Sequence, residues 1–234
     1  MNRDVVITPP FFEIGPKAYV YGAEIVALAR LADDLGREHR VQVILTPQIV
    51  DLALVARAVE SALVFAQHMD SLPVGRGVGS VLPEAVRAAG AAGVLLNHVE
   101  RRLPRDELTR TMRRAEEVGL ATMVCADDAR DAAAIAALRP DVIIVESPEL
   151  IAGGRRDDDE RRAVAAANEA VWSVDPAIRV LHGAGITDAS DVEAVIAAGA
   201  QGTGSSSAIF TAADPSSMLE AMIRSVRRAW DRTH

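Results

Sequence analysis

The sequence predicts an α/β protein, a single (β/α)8 barrel that spans residues 1–234. Short apolar runs typical of buried strands alternate with helical patterns, and there are eight of each. Strands that alternate with helices favour a parallel sheet, because each return crossing needs a long connection. An open doubly wound sheet often carries a glycine-rich phosphate turn after its first strand, whereas Gly15-Pro16-Lys17 stands there. The pattern therefore favours a closed barrel.

The strands and helices are placed by apolar runs and by a three- and four-residue apolar period, as at Ile25, Leu28 and Ala29. The predicted strands are Phe11–Ile14, Val41–Leu45, Ala62–Ala66, Val94–Leu96, Ala121–Cys125, Val142–Val145, Arg179–Leu181 and Gly202–Gly204. The predicted helices are Gly22–Leu35, Ile49–Ala58, Pro83–Ala89, Arg105–Val118, Ala129–Leu138, Glu160–Val174, Ala189–Ala198 and Pro215–Trp230. Asp188 precedes a helix as a cap, and Gly36, Gly90, Gly119 and Gly199 are expected at helix ends.

Composition limits the classes of partner. Half of the residues are hydrophobic but only 3% are aromatic, which indicates a core of Ala, Val, Leu and Ile. The net charge of −8 argues against a nucleic-acid surface. Cys125 is the only cysteine, so the chain cannot form an internal disulfide, which favours a reducing cytoplasm. The first residues have no signal-peptide pattern and no segment approaches the ~20 apolar residues that cross a membrane. We expect a cytoplasmic protein without membrane or nucleic-acid partners.

The strongest candidate for chemistry is Glu146, which directly follows the β-branched run Val142–Val145. Ser147-Pro148 then breaks the strand, and an apolar loop follows that contains Ala152 and Gly153. A carboxylate at the end of a buried strand is held still, while a small closing loop can exclude water. The stretch is therefore suited to removing a proton from carbon.

Other polar residues follow the remaining strands, and the ends of barrel strands meet at one rim, where active sites lie. Lys17 follows the first predicted strand, and His98 and Glu100 follow the fourth. Small residues follow the seventh and eighth strands and can present backbone N–H groups to a phosphate: Gly183, Gly185, Ser206, Ser207 and Ala208. No cluster has metal-ligand spacing and no nucleotide motif is present, so neither metal nor cofactor is expected. The combination predicts proton transfer on a small phosphorylated carbonyl compound.

Four segments carry a family resemblance: FAQHMD, VLPEAVRAAGAAGVLLNHVERR, VESPELI and VLHGAGIT. Over Phe11 to Trp230 the chain resembles archaeal-type triosephosphate isomerase, a TIM barrel that works as a homo-oligomer, a dimer or tetramer. The resemblance implies aldose–ketose isomerisation without metal or cofactor. It makes Glu146 the base that moves a proton between adjacent carbons and His98 a neutral electrophile. Lys17 would be a fixed positive charge, and Glu100 would hold the Lys17 and His98 region in order.

Several positions depart from the family pattern, mostly where substrate is contacted. Gly15 replaces a substrate-touching Asn, and Val78 replaces a Thr that reaches across the dimer. Ala152-Gly153-Gly154 stands where the family has Gly-Thr-Gly, and Ala208 replaces a Gly. Substrate binding is expected to involve Gly15, Ala152, Gly153 and the two loops after the seventh and eighth strands.

These departures leave alternatives open. Triose phosphate is the default substrate, and a four-carbon sugar phosphate is the close alternative. The chain could instead bind a phosphorylated metabolite without turning it over, or act as a lyase or synthase through a Schiff base on Lys17, its only lysine. His68 and His182 are expected to be structural, although the sequence leaves open whether either touches ligand.

Overall fold

The chain forms a closed barrel of eight parallel strands, and a computed structural model describes residues 5–147 and 158–234. Neighbouring strands pair in sequence order, and the first pairs with the eighth to close the barrel. The strands are β1 Phe11–Ile14, β2 Gln42–Leu45, β3 Leu63–Ala66, β4 Gly93–Leu96, β5 Ala121–Ala126, β6 Val142–Val145, β7 Arg179–His182 and β8 Gly202–Ser205. The (β/α)8 prediction is confirmed, and each predicted strand lies within one residue of an observed one at either end.

Helices follow the strands and form the outer layer of the barrel. They are α1 Ala23–His39, α2 Leu52–Ala56, α3 Pro83–Ala88, α4 Arg105–Glu117, α5 Ala129–Ala136, α6 Asp158–Trp172, α7 Ala189–Ala197, α8 Ser207–Phe210 and α9 Pro215–Thr233, with a 3-10 turn at Val99–Arg101. In the part of the chain that the structure describes, no helix is both long and apolar enough to cross a membrane.

Several helix ends differ from the sequence prediction by two to four residues, and the end of α1 differs most. The helix expected to stop near Gly36 continues to His39, and the chain leaves it at Arg40 with a φ of 54°. Gly36 is needed for close packing, since a Cβ there would lie 2.8 Å from a methyl group of Val43. Gly90, Gly119 and Gly199 do adopt positive φ just after helices, and the side chain of Asp188 caps α7.

Two apolar layers position the site. Alternate residues of each strand point inward and outward, so Phe12 and Ile14 of β1 pack against the helices while Phe11 lies in the barrel interior. Gly93 and Gly202 leave room for interior aromatic rings, because a Cβ at either would lie 2.5 Å from a ring carbon. Side chains therefore fill the interior of the barrel, and polar groups lie at the carboxyl ends of the strands.

Candidate active site

Glu146 lies directly after β6, and its carboxylate faces the imidazole of His98. The Glu146 backbone N–H donates to the carbonyl of Ala126 at 2.9 Å, which fixes the start of the loop against β5. Glu146 Oε2 lies 3.8 Å from His98 Nε2, and each side chain is only 17% exposed. Side chains from two non-adjacent strands thus converge in a largely desolvated space.

His98 is held in place by the unusual backbone of the residue before it. Asn97 adopts a φ of 62°, and its side-chain amide donates to the Cys125 carbonyl at 3.0 Å and accepts from the Leu103 N–H at 3.2 Å. These two bonds offset the cost of a left-handed conformation at a residue other than glycine. The chain consequently leaves β4 in a direction that sends the imidazole toward β6.

The hydrogen bonds of His98 indicate which ring nitrogen carries the proton. Its Nδ1 accepts from the Glu100 backbone N–H at 3.2 Å, so in the neutral ring the proton is on Nε2, which faces Glu146. Burial lowers the pKa of His98, and the positive charge of Lys17 lowers it further. A neutral imidazole that presents an N–H is suited to donating a hydrogen bond to a carbonyl oxygen.

Lys17 adds a fixed positive charge on the β1 side of the mouth. It has a φ of 46°, and its carbonyl accepts from Gln48 Nε2 at 2.6 Å and from Gln67 Nε2 at 3.0 Å. Its Nζ lies 2.7 Å from Glu100 Oε1, and this hydrogen bond lowers the pKa of Glu100. Glu100 therefore touches both parts of the cluster, Lys17 through its side chain and His98 through its backbone.

Small neighbours make room for the Glu146 carboxylate. A Cβ on Gly183 would lie only 2.4 Å from Glu146 Oε1, so a side chain at that position would displace the carboxylate. The buried Cys125 thiol lies 3.9 Å from Glu146 Oε2. Burial raises the pKa of Cys125 well above its usual value, and the charge of Glu146 raises it further, so the thiol is neutral.

The two loops predicted to hold phosphate lie side by side because β7 and β8 pair. Ser205 Oγ donates to the Ile186 carbonyl at 3.1 Å, which joins the loop after β7, containing Gly183 and Gly185, to the end of β8. Ser206 Oγ donates to the Gly15 carbonyl at 2.5 Å. Ser207 is exposed at the first position of α8, followed by the half-buried Ala208. The predicted contacts Ala152 and Gly153 lie outside the described residues.

A second carboxyl, Glu13, was missed by the sequence analysis. It is half-buried and accepts a hydrogen bond of 2.6 Å from Thr46 Oγ1. Burial raises its pKa to about 8, and the negative charge of Glu146 also raises it. The rule that active-site residues follow strands selects other residues, whereas Glu13 lies within β1. Its position between the outward-facing Phe12 and Ile14 was the available signal that it points inward.

The two histidines that the sequence left open have protein partners. His68 Nε2 lies 3.1 Å from Asp70 Oδ1, and His182 is buried with Nε2 2.9 Å from Asn168 Oδ1. Both contacts agree with the structural role expected of these residues. Among residues 5–147 and 158–234, no group of three or more His, Cys, Asp or Glu side chains is placed to hold a metal ion.

Comparison with known proteins decides the family. The triosephosphate isomerase family model matches residues 16–224. The chain is 37% identical over 220 residues to a triosephosphate isomerase of Methanosarcina mazei, covering 93% of this chain and 99% of that protein. It is 33% identical over 224 residues to one of Saccharolobus solfataricus, covering 94% and 98%.

The chain belongs to the triosephosphate isomerase family. The resemblance stated from the sequence is confirmed, and so is the enzyme class, an aldose–ketose isomerase, that is, an intramolecular oxidoreductase. The family acts on small phosphorylated substrates, and membership does not favour a non-catalytic binding barrel or a four-carbon substrate.

Proposed function

We propose that this triosephosphate isomerase family member interconverts glyceraldehyde 3-phosphate and dihydroxyacetone phosphate, with Glu146, His98 and Lys17 as its catalytic residues. The observation that carries the proposal is the 3.8 Å approach of His98 Nε2 to Glu146 Oε2, with His98 Nδ1 already bonded to the Glu100 N–H. A base and a neutral N–H donor then face the same small space.

The proton transfer follows from this geometry. Glu146 takes a proton from the carbon next to the carbonyl, and the electron pair of that C–H bond moves to form an enediolate. His98 Nε2–H and the Lys17 ammonium stabilise the oxygen on which negative charge develops, which is where fixed donors lower a barrier most. His98 Nε2 gives its proton to the former carbonyl oxygen and takes the hydroxyl proton from the neighbouring oxygen. Glu146 then returns the first proton to the neighbouring carbon, and the oxygen on that side becomes the carbonyl of the product. A neutral histidine beside a carboxylate base is the arrangement known for triosephosphate isomerase.

Glu100 acts in this proposal as a positioning residue. Its carboxylate holds the Lys17 ammonium at 2.7 Å and its backbone N–H fixes the His98 tautomer. The phosphate would be bound by backbone N–H groups of the loops that contain Gly183, Gly185, Ser206, Ser207 and Ala208, with Gly15, Ala152 and Gly153 completing the enclosure.

The direct test is turnover of glyceraldehyde 3-phosphate by the purified chain, followed through the dihydroxyacetone phosphate produced. We expect saturable isomerisation that falls at least 100-fold in Glu146→Gln, because the amide cannot accept the proton. No turnover of triose phosphate, combined with turnover of a tetrulose phosphate, would refute the substrate. Trapping of substrate on Lys17 by borohydride would refute the mechanism, since borohydride traps the substrate only when a Schiff base has formed.

We also infer that the protein is a homo-oligomer, a dimer or tetramer. Several apolar side chains are largely exposed, and such surfaces favour association. They are Tyr21, Val50, Leu54, Val74 and Val78. Sedimentation of the wild type should give at least a dimer mass, and Val78→Asp should shift it toward the monomer. A wild type that sediments as a monomer at micromolar concentration would refute this inference.

Cytoplasmic location is part of the same proposal. The only thiol, Cys125, is buried beside Glu146 and is suited to a reducing compartment. The charge of −8 offers no support for a nucleic-acid partner. Cell fractionation should recover the isomerase activity in the cytosolic fraction, and recovery in membranes would contradict this.

A further inference from the structure

Glu13 is an ionisable carboxyl at the mouth of the barrel that the proposed mechanism does not use. Its carboxyl lies where a side chain on Gly15 would have to go: a Cβ on Gly15 would meet Glu13 Oε1 at 3.1 Å and Oε2 at 3.4 Å. The resemblance places a substrate-touching Asn at position 15, and this chain has no side chain there. The volume freed by the missing side chain is therefore filled by another polar group from the same strand.

The surroundings of Glu13 make its two oxygens different. Thr46 Oγ1 donates to Oε1 at 2.6 Å, which marks Oε1 as the acceptor oxygen of the acid. Oε2 lies beside Gly204 of β8, where a Cβ would be 3.0 Å away. Within the described ranges, the structure records a side-chain hydrogen bond for Oε1 and none for Oε2. Oε2 is thus the oxygen able to carry a proton and offer it to a ligand.

The charged and titratable groups around Glu13 favour that protonated form. Burial raises the pKa of Glu13 to about 8, the carboxylate of Glu146 raises it, and the Thr46 bond and the Lys17 ammonium oppose the rise. The buried Cys125 thiol on β5 also interacts with both carboxyls and is neutral. At neutral pH the protonated form of the Glu13 carboxyl is therefore favoured.

We propose that the Glu13 carboxyl, carrying its proton on Oε2, takes the place of the missing side chain at position 15 and donates a hydrogen bond to an oxygen of the bound substrate. This rests on the proposed isomerase function and adds a substrate-contacting residue to it. A protonated carboxyl offers one donor and one acceptor, as the relevant edge of an amide does. The exchange of an amide at position 15 for an acid at position 13 then preserves the hydrogen bonding and changes its pH dependence.

Four variants test this against the wild type, with glyceraldehyde 3-phosphate as substrate. Glu13→Gln keeps a donor and an acceptor and should retain kcat/KM within about threefold at pH 7. Glu13→Ala should lose about 10- to 100-fold, the effect of removing one donor in a desolvated site. Gly15→Asn should also lose activity, because its side chain collides with the Glu13 carboxyl. The double variant Glu13→Ala with Gly15→Asn should regain at least tenfold over Glu13→Ala.

The pH profile supplies a readout that a merely structural role would not change. Wild-type kcat/KM should fall as the pH rises through about 8, the pKa of Glu13, because the donor proton is lost. Glu13→Gln should lack this alkaline limb. Asp141→Asn is the matched control, an acid-to-amide change at the opposite end of the barrel, where Asp141 accepts from the Thr122 N–H at 2.7 Å. It should leave the profile unchanged.

The outcomes separate this inference from the proposed function. A wild type that does not isomerise triose phosphate refutes the function and with it the inference. An active wild type with an equally active Glu13→Ala refutes the inference alone. So does a Glu13→Gln variant that keeps its circular dichroism spectrum but is as impaired as Glu13→Ala. If Glu13→Ala does not fold, Glu13→Gln and the alkaline limb still decide.

Discussion

The β4–β6 side of the barrel mouth and the β1–β8 side differ in how they are built. On the β4–β6 side, His98 and Glu146 are set by backbone contacts, the left-handed Asn97 and the bond from the Glu146 N–H to Ala126. On the β1–β8 side, Gly15 and Gly204 carry no side chain, and Glu13 fills the space. Proton transfer demands fixed positions for specific groups, whereas a substrate hydrogen bond can come from any strand that places a donor there. The contrast indicates that the β1–β8 side can exchange one substrate-binding side chain for another, whereas the β4–β6 side cannot.

On the β4–β6 side, the substitution Glu146→Asp should have the largest effect on turnover. Shortening the side chain withdraws the carboxylate by about 1 Å, and a displacement of that size can cost about 100-fold. We expect kcat to fall by that factor with KM changed less than threefold, measured by steady-state kinetics. Glu116→Asp on the exposed face of α4 is the control and should behave as wild type. Equal losses in binding and turnover would argue against a role for Glu146 as base.

Gly183→Ala tests whether Glu146, the proposed base, depends on the space beside β7. The new methyl group would lie 2.4 Å from the present position of Glu146 Oε1, so the carboxylate has to move. We expect a fall in kcat of roughly 30-fold, smaller than for Glu146→Asp because the full side chain can partly return. A thermal midpoint near that of wild type shows that the barrel is intact. Unchanged kcat would mean that the carboxylate can work from a second position.

The β1–β8 side predicts a stability effect that the β4–β6 side does not. The pKa of Glu13 is raised to about 8 from 4.5, so the folded state holds a proton that the unfolded chain releases. The contribution of Glu13 to the free energy of unfolding is fully present below pH 4.5. It is lost as the pH rises toward 8, by at most about 1.4 kcal/mol per pH unit.

Glu13→Gln should remove this slope, which urea unfolding at pH 6, 7 and 8 will measure. Asp141→Asn again serves as the control and should retain the wild-type slope. If the free energy of unfolding of Glu13→Gln depends on pH as steeply as that of the wild type, other groups cause the pH dependence.

The link between the two sides is the Lys17–Glu100 pair, and its loss should have the smallest effect. Glu100 is 59% exposed, so its attraction to Lys17 is screened by water. Glu100→Gln retains the backbone N–H that bonds His98 and should lower kcat/KM by about two- to fivefold. The loss should grow when salt is lowered and shrink when it is raised. A loss above 50-fold would give Glu100 a direct part in the chemistry.

Much of this molecule was predictable from sequence because barrels have a strong period. Strands such as β6 are continuous β-branched runs, and the rule that active sites lie at strand ends selected Lys17, His98 and Glu146. Gly36 shows the limit of such rules, since the local pattern predicts a helix end there, whereas the glycine permits the close approach of Val43. Its role depends on a neighbouring strand, which no local pattern contains.

Glu13 was missed for a related reason. Whether an acid within a strand is solvated or buried depends on which face of the sheet it occupies, and a four-residue strand gives little alternation from which to tell. Its importance also depends on its contacts with Gly15 and Gly204, which become evident only when β1 and β8 are brought together. Packing between distant segments therefore decided this part of the site.

Deuterium exchange tests directly whether Glu146 moves a proton between substrate carbons. Dihydroxyacetone phosphate is incubated in D2O with the wild type or with Glu146→Gln, and proton NMR follows the hydroxymethylene carbon next to the carbonyl. We expect deuterium at that carbon with the wild type and incorporation at least 100-fold slower with Glu146→Gln. Equal rates of incorporation in the two proteins would contradict it.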